Sequence, residues 1–340
     1  MNTKTMKAFT FKRYGKSPEL GFDNVDYPSP SADEILVKVY AVGLNPIDNI
    51  IPTGLFKPVL HFNLPATLGS DLSGVVIAVG SRVTRFAPGD EIFASIFDTG
   101  TGSLAEFALV HESTASMKPA NLDFVQAASL PMVSLTSLQA LTERVSLQAG
   151  QKVFIPAGSG GIGSFAIQLA KHLGAEVGTT TSTSNLEWVS RLGADEVLDY
   201  KKHPFEEVLR GYDIVLGTIR GDLIEQSTRI LKPGGSIVSL VGPLDAAFAR
   251  ARGVNFFLRF VFGLMSRKII RLTKKRGLTY SFLFVRPDGD QLNKISKLVE
   301  TETIKPVIDK VFPFAETKDA LDYLAQGHAK GKVVVKIHES

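Results

Sequence analysis

The sequence predicts an α/β protein of two domains, one β-rich and one a doubly wound parallel sheet. Three observations carry that prediction. Strand-like alternation dominates to about Phe124, and from Val125 strands alternate with helices instead. The stretch from Lys152 to Val177, KVFIPAGSGGIGSFAIQLAKHLGAEV, reads as strand, glycine turn, helix and strand. The last strand-like run, Lys332 to Ile337, resembles the early strands more than a further βαβ unit, so the tail is expected to rejoin the first domain. The resulting division is 1–125 with 286–340 for the β-rich domain and 126–285 for the parallel sheet.

Taken in order, Met1 to Thr5 reads as a loose lead, with structure from Met6. Ile35, Val37 and Val39 alternate with Leu36, Lys38 and Tyr40, and the runs 74–80, 90–93 and 105–110 follow between Pro and Gly turns. That pattern suits a compact, barrel-like β domain. A helix is expected through AASLPMVSLTSLQALTERV, residues 127–145. Strands at 153–155, 175–181, 196–199, 212–216 and 236–241 then alternate with helices, which gives right-handed crossovers and a parallel sheet. Lys232-Pro-Gly-Gly235 turns the chain into a buried strand, and Thr279 to Val285 makes the sixth strand. No repeat, linker or low-complexity tract interrupts the chain.

Gly158, Gly160 and Gly163 fall at the spacing G-x-G-x-x-G, after a strand and at the start of a helix. There the chain must turn sharply, approach a pyrophosphate and pack a helix close to the sheet, and glycine permits each step because it lacks a Cβ. Amides at the helix start would face the phosphates, aided by the helix dipole. An NAD site usually places Asp or Glu at the end of the second strand, for the ribose 2′-hydroxyl. Here the run is Thr179, Thr180, Thr181, Ser182, Thr183, Ser184, Asn185, with no acid until Glu187. Hydroxyls and an amide can donate to a 2′-phosphate that a carboxylate would repel, which favours NADPH. The customary Arg or Lys anchor is missing from the run, although Arg191, Lys201 or Lys202 could reach the site. Ser184 or Asn185 also reads simply as a helix cap.

The chain has 340 residues, 44% of them hydrophobic, and a net charge of +4. It has no cysteine, which excludes disulfides, thiolate nucleophiles and Cys-ligated zinc. The N-terminus lacks the apolar core of a signal peptide and no run is apolar enough to span a bilayer, so a cytoplasmic protein is expected. Between Arg250 and Arg276 there are nine Lys or Arg and no acid, leaving a net −5 for the remainder. Within that segment Met265, Ile269 and Leu272 share one helical face, and Arg267, Arg271 and Lys274 another. Such a segment suits an anionic membrane or nucleic acid. The preferred expectation is a helix over the active-site mouth with a solvated basic face, and neither a nucleic-acid partner nor a membrane span is expected.

On GLNPIDNIIPTG (Gly43 to Gly54), PATLGSDLSGVV (Pro65 to Val76), PGDEIF (Pro88 to Phe93), AASLPMVSLTSLQAL (Ala127 to Leu141), AGSGGIG (Ala157 to Gly163), LGADEVLDY (Leu192 to Tyr200) and the terminal GKVVVKI, the chain resembles the medium-chain dehydrogenase/reductase superfamily. The resemblance is to its zinc-independent, quinone-oxidoreductase-like members and spans about Met6 to Ile337. It implies a GroES-like β-rich catalytic domain and a Rossmann cofactor domain. Zinc-dependent members carry a Cys and a Gly-His-Glu where this chain has Asn45 and Gly69-Ser70-Asp71, and the six histidines form no ligand-spaced cluster, so no metal is expected.

The same resemblance implies NADPH-dependent hydride transfer to the activated C=C of an enone or alkenal, or to a quinone, with hydrogen-bond donors stabilising an enolate-like oxygen. It puts Asn45 first for a catalytic role, with Asp48 fixing its loop. On the residues alone, Asn45-Pro46 is also a turn initiator and Asp48 a loop cap. By position it carries Thr136 to the nicotinamide end of the cofactor, Ser159, Gly160, Gly161 and Ile162 to the pyrophosphate, and Ser182 and Asn185, beside Thr181 of the hydroxyl run, to the 2′-phosphate. Tyr200 goes to the adenine, Val241, Gly242, Leu283 and Phe284 to the nicotinamide pocket, and Lys332 to the ribose or a phosphate. Many relatives carry Lys near the places of Ser184 and Ile50, which weakens the NADPH preference and any cationic contact with substrate there. A homodimer paired through the strand near Thr279 to Val285 is implied too. Two alternatives remain open at this point: an enoyl-thioester reductase whose basic segment receives a coenzyme A phosphate, and an NADPH-binding protein without turnover that uses that segment on RNA or a membrane surface.

Overall fold

The computed structural model describes residues 4–339; Met1 to Thr3, part of the expected loose lead, and Ser340 lie outside the described residues. The chain divides into two units, one running to Leu135 and resuming at Arg286, the other spanning Thr136–Val285. The first boundary falls later than 125/126 because the helix Phe124–Ala128 lies against the sheet of the first unit. Its Ala128 packs on Ala41 and Val334, and Phe124 stacks on Tyr40 at 4.4 Å.

In the first unit β1 (Thr5–Phe11) pairs with β2 (Leu20–Asp26) and with the short β4 (Ala66–Thr67). The larger sheet contains β3 (Glu34–Leu44), β5 (Asp71–Val79), β6 (Glu91–Ser95), β7 (Phe107–His111) and β8 (Ala115–Met117). The returning tail completes it with β15 (Ile308–Pro313) and β16 (Lys332–Lys336), in the order β15-β16-β3-β5-β6-β8, while β7 pairs with β3. β3 is buried along most of its length, which suits its apolar run. The antiparallel register sets Val333 against Leu44 and Ser73 against Ala41, so Lys332 and Asp71 both come to the end of β3 where Asn45 follows.

The second unit holds β9 (Lys152–Ile155), β10 (Glu176–Thr181), β11 (Glu196–Asp199), β12 (Tyr212–Gly217), β13 (Leu231–Ser239) and β14 (Thr279–Phe282). All pairs are parallel and the order is β11-β10-β9-β12-β13-β14. The order reverses between β9 and β12, and a doubly wound sheet binds its ligand at the carboxyl end of such a switch point. Phe154, Phe205, Tyr212, Val215, Ile237 and Ile269 anchor the core of this unit.

One expectation is corrected, and one helical face is resolved further. The helix expected through residues 127–145 is broken: Phe124–Ala128 ends before Pro131, which opens a second helix, Pro131–Leu138, and a π-helical turn follows at Gln139–Arg144. Proline lacks the N–H that the preceding turn would need, so it begins a helix instead of continuing one. In the helix Phe256–Lys275 the covered stripe is Phe262, Ser266, Ile269 and Thr273, and Met265 faces solvent. Periodicity defined the stripes, but the neighbours decide which one is covered: Phe262 lies against Phe248 of the helix Ala246–Ala251, and Ile269 joins the core of the parallel sheet.

Candidate functional site

The glycine turn follows β9 directly, at the switch point. A Cβ on Gly158 would lie 2.3 Å from Thr179 Oγ1, and one on Gly163 would lie 2.2 Å from the Ala157 carbonyl oxygen. Those two glycines are required by the protein's own packing of turn, helix and strand. Gly160 differs. Its φ is −80°, which any residue adopts, and a Cβ there would meet only the Ala157 oxygen, at 3.4 Å. Neither conformation nor internal packing demands glycine at 160, whereas close approach of a ligand to the backbone does. Gly160 also caps the helix Gly161–His172 without a side chain to offer its first amides, so the backbone of Gly161 and Ile162 meets no side-chain cap.

The carboxyl edge of this parallel sheet gathers most of the cofactor residues expected from sequence. Thr181 ends β10, with Ser182 and Asn185 next to it; Tyr200 follows β11; Val241 and Gly242 follow β13; Leu283 and Phe284 follow β14. Thr181 is buried and its hydroxyl has no hydrogen-bond partner, an uncompensated polar atom at the place where a polar ligand group is expected. Asn185 Nδ2 donates to Ser182 Oγ at 3.1 Å. The other hydroxyls of the run are committed: Thr179 donates to the Ile155 carbonyl and Thr183 to Asp199. That bond, ahead of the cost of burial, holds the Asp199 carboxyl below its ordinary range. Arg191 pairs with Glu187, and Lys202 leans toward Asp199 at 3.9 Å, so two of the cations considered for the 2′-phosphate have carboxylate partners. Tyr200 is exposed, and Thr136 is buried on the helix Pro131–Leu138. The glycine cradle, the uncapped amides and the orphaned Thr181 hydroxyl fit a dinucleotide.

In the first unit the end of β3 carries a buried polar cluster. Asn45, Asp48, Ser70, Asp71 and Lys332 are all at most 5% exposed. Lys332 Nζ donates to the Leu44 carbonyl and to Asn45 Oδ1, each at 2.6 Å, and lies 3.8 Å from Asp71 Oδ2. An ammonium has donors only, so it fixes which end of the Asn45 amide faces it. Asn45 Nδ2 then donates to Asp71 Oδ2 at 2.9 Å and to the Gly43 carbonyl at 3.3 Å. Both amide hydrogens of Asn45 are thereby engaged. Asp71 Oδ2 also accepts the Met132 amide at 3.0 Å. Asp71 Oδ1 accepts no hydrogen bond of good geometry, although the Ser95 hydroxyl lies near enough to favour its charge. Asp48 accepts the Asn45 amide at 2.7 Å and the Ser70 hydroxyl at 2.6 Å, closing the turn that begins the helix Pro46–Ile50.

Burial sets the electrostatics. It pushes Asp48 up to about 6, against hydrogen bonds from Ser70 and the Asn45 amide. It raises Asp71 too, opposed chiefly by Lys332, and it lowers Lys332, opposed by the two carboxylates. One cation is shared by two carboxylates, and burial raises both of them. A small cleft lined by Ile51, Phe62, Thr67, Ser70, Phe97 and Asp98 opens beside Ser70. Among the described residues, no group of three or more His, Cys, Asp or Glu is placed to hold a metal ion.

The structure thus brings Asn45, Asp48 and Lys332 together and turns the Lys332 ammonium inward to the Asn45 loop. Sequence reasoning missed Asp71 and the Met132 amide as partners. The available signal was an acid at Asp71 opening an otherwise apolar strand.

Residues 31–120 match the alcohol dehydrogenase GroES-like domain and residues 192–335 match the zinc-binding dehydrogenase domain. The chain is 35% identical to an NADPH-dependent alkenal/one oxidoreductase, chloroplastic, of Arabidopsis thaliana, over 98% of this chain and 80% of that protein. It is 33% identical to the chloroplast envelope quinone oxidoreductase homolog of the same plant, over 99% of this chain and 100% of that one. Among solved structures, the quinone oxidoreductase from Coxiella burnetii superposes with a TM-score of 0.85 at 32% identity, covering 98% of this chain and 100% of that chain.

Proposed function

Since the chain belongs to the zinc-independent, quinone-oxidoreductase-like branch of the medium-chain dehydrogenase/reductase superfamily, we propose that it is an NADPH-dependent reductase of activated C=C bonds in enones and alkenals, or of quinones. The observation that carries the proposal is Gly160, a glycine that neither its conformation nor its packing requires and that the approach of a pyrophosphate would require. The lack of a carboxylate between β10 and Glu187, with Thr181, Ser182 and Asn185 in its place, supports NADPH over NADH. The names of the relatives support the substrate class.

When bound, the nicotinamide cofactor supplies a hydride equivalent, and a proton from water completes the two-electron reduction. The chain's own work is positioning. The glycine turn and the start of the Gly161–His172 helix, which has no side-chain cap, would hold the diphosphate by backbone amides. Asn45, with both amide hydrogens spent on Asp71 and Gly43, acts as a positioning residue that couples Lys332 and Asp71 to the start of the Pro46–Ile50 helix. Asp48 locks the same turn. Pairing of two copies through β14, which ends the parallel sheet, belongs to the same proposal.

The test is steady-state oxidation of NADPH and NADH in parallel, against short enones, 2-alkenals and quinones. Turnover that prefers NADPH on any of the three classes supports the proposal, and cofactor binding without turnover on all of them rejects it.

A further inference from the structure

The helix Phe256–Lys275 presents an unusual outer face. Phe256, Phe257 and Phe260 are 80%, 71% and 57% exposed, and Leu264 and Met265 are also exposed. Positions 256, 260 and 264 follow one another at helical spacing, and the same stripe continues through Arg267, Arg271 and Lys274, with Lys275 beside it. The first half of the stripe is apolar and the second half cationic. Arg267, Arg271, Lys274 and Lys275 meet no carboxylate among the described residues, whereas the neighbouring Lys268 is paired with Glu225 at 2.7 Å. No acid occurs between Arg250 and Arg276. The opposite stripe, Phe262, Ser266, Ile269 and Thr273, is buried in the second unit, so the helix is held in place with this face outward.

We infer that this face docks the protein on the surface of an anionic phospholipid bilayer. Large aromatics at one end suit the boundary between headgroups and acyl chains, and unpaired cations at the other end suit lipid phosphates. At about 30 Å the helix has room for both contacts. Among the described residues no helix is long and apolar enough to cross a membrane, so the contact lies in the plane of the surface. RNA would use the cations and could stack on phenylalanine, but it gives no role to Leu264 and Met265. A second copy would bring two segments rich in uncompensated positive charge together. The inference rests on this face alone and does not depend on the reductase assignment.

The experiment is co-sedimentation of the full chain with vesicles of phosphatidylcholine, and of phosphatidylcholine with phosphatidylglycerol, at low and high salt. The wild type should pellet with the anionic vesicles and less so in high salt. The charge variant Arg267→Gln/Arg271→Gln/Lys274→Gln should bind about 100-fold more weakly, at roughly fivefold per cation. The variant Phe256→Ser/Phe257→Ser/Phe260→Ser should lose at least ~10-fold. Circular dichroism and melting temperature verify folding, and if a triple variant melts early, Phe257→Ser or Arg271→Gln replaces it with a proportionately smaller loss. The inference is overturned if the wild type ignores anionic vesicles or if both variants pellet like wild type. It is overturned equally if wild type binds single-stranded RNA but no vesicle, or if the phenylalanine variant alters only the oligomeric state seen by light scattering.

Discussion

Replacing Lys332 with methionine removes the single cation of the buried cluster while keeping most of the side-chain volume. The Leu44 carbonyl and Asn45 Oδ1 each lose a donor at 2.6 Å, and Asp71 loses the charge that opposes its burial. Breaking a buried pair from one side costs about 3–5 kcal/mol. At roughly 2–4 °C per kcal/mol for a unit of this size, the melting temperature should fall by about 10 °C. The loss should depend on pH. Without the cation, the folded-state pKa of Asp71 rises further above its unfolded value, so folding carries a proton-linked penalty that grows as pH rises through that interval. Lys332→Met should therefore be most damaging above neutrality and least near about pH 4. Adding Asp71→Asn should restore part of the stability, because it removes the carboxylate nearest the lost cation and leaves Asp48 as the one buried acid of the cluster. Thermal melts of wild type, the two single variants and the double variant across pH provide the assay. A Lys332→Met protein that melts within about 2 °C of wild type above neutrality, or one that Asp71→Asn does not rescue, would refute the electrostatic account of the cluster.

Three further outcomes are expected. Asp48 sits at about 6 against an ordinary 3.8, so stability should decline as pH rises from about 4 to about 6, by up to about 3 kcal/mol; Asp48→Asn should flatten that part of the melting-temperature profile. Gly160→Ala should melt like wild type yet bind NADPH at least ~10-fold more weakly by fluorescence titration, whereas Gly163→Ala, whose Cβ would meet the Ala157 carbonyl oxygen at 2.2 Å, should lose about 1–3 kcal/mol of stability. Thr181→Val should leave stability unchanged or raise it by up to about 1 kcal/mol, since the buried hydroxyl has no partner, while weakening NADPH more than NADH in the same titration.

The parts of the molecule that could be read from sequence are those governed by local constraints. The turn at Gly158 to Gly163 is visible because its spacing, the strand before it and the helix after it are all local, although Gly158 answers to Thr179 on β10 and Gly160 to a ligand. The alternation in β3 and the βα rhythm after β9 follow from periodicity in the same way. The buried cluster was not readable, because Lys332 and Asn45 are 287 residues apart and meet only through the β16–β3 register. A motif placed both residues in a site but could not say that the Lys332 ammonium would be spent on the Asn45 loop, or that Asn45 would keep no amide hydrogen free. Met265 shows a different limit: spacing groups residues into stripes, and only the neighbour that packs on the helix decides which stripe is covered.

The most direct measurement is the destination of the hydride. NADPH deuterated at the nicotinamide C4 position, incubated with the full chain and a short enone, should yield a saturated ketone with deuterium at the β-carbon and a solvent-derived proton at the α-carbon. With a quinone, the label should be lost to water after stoichiometric NADPH oxidation. Saturated product carrying no deuterium with NADPH labelled on either face of C4, or no reduction of any enone, alkenal or quinone by a protein that binds NADPH, would contradict the assignment.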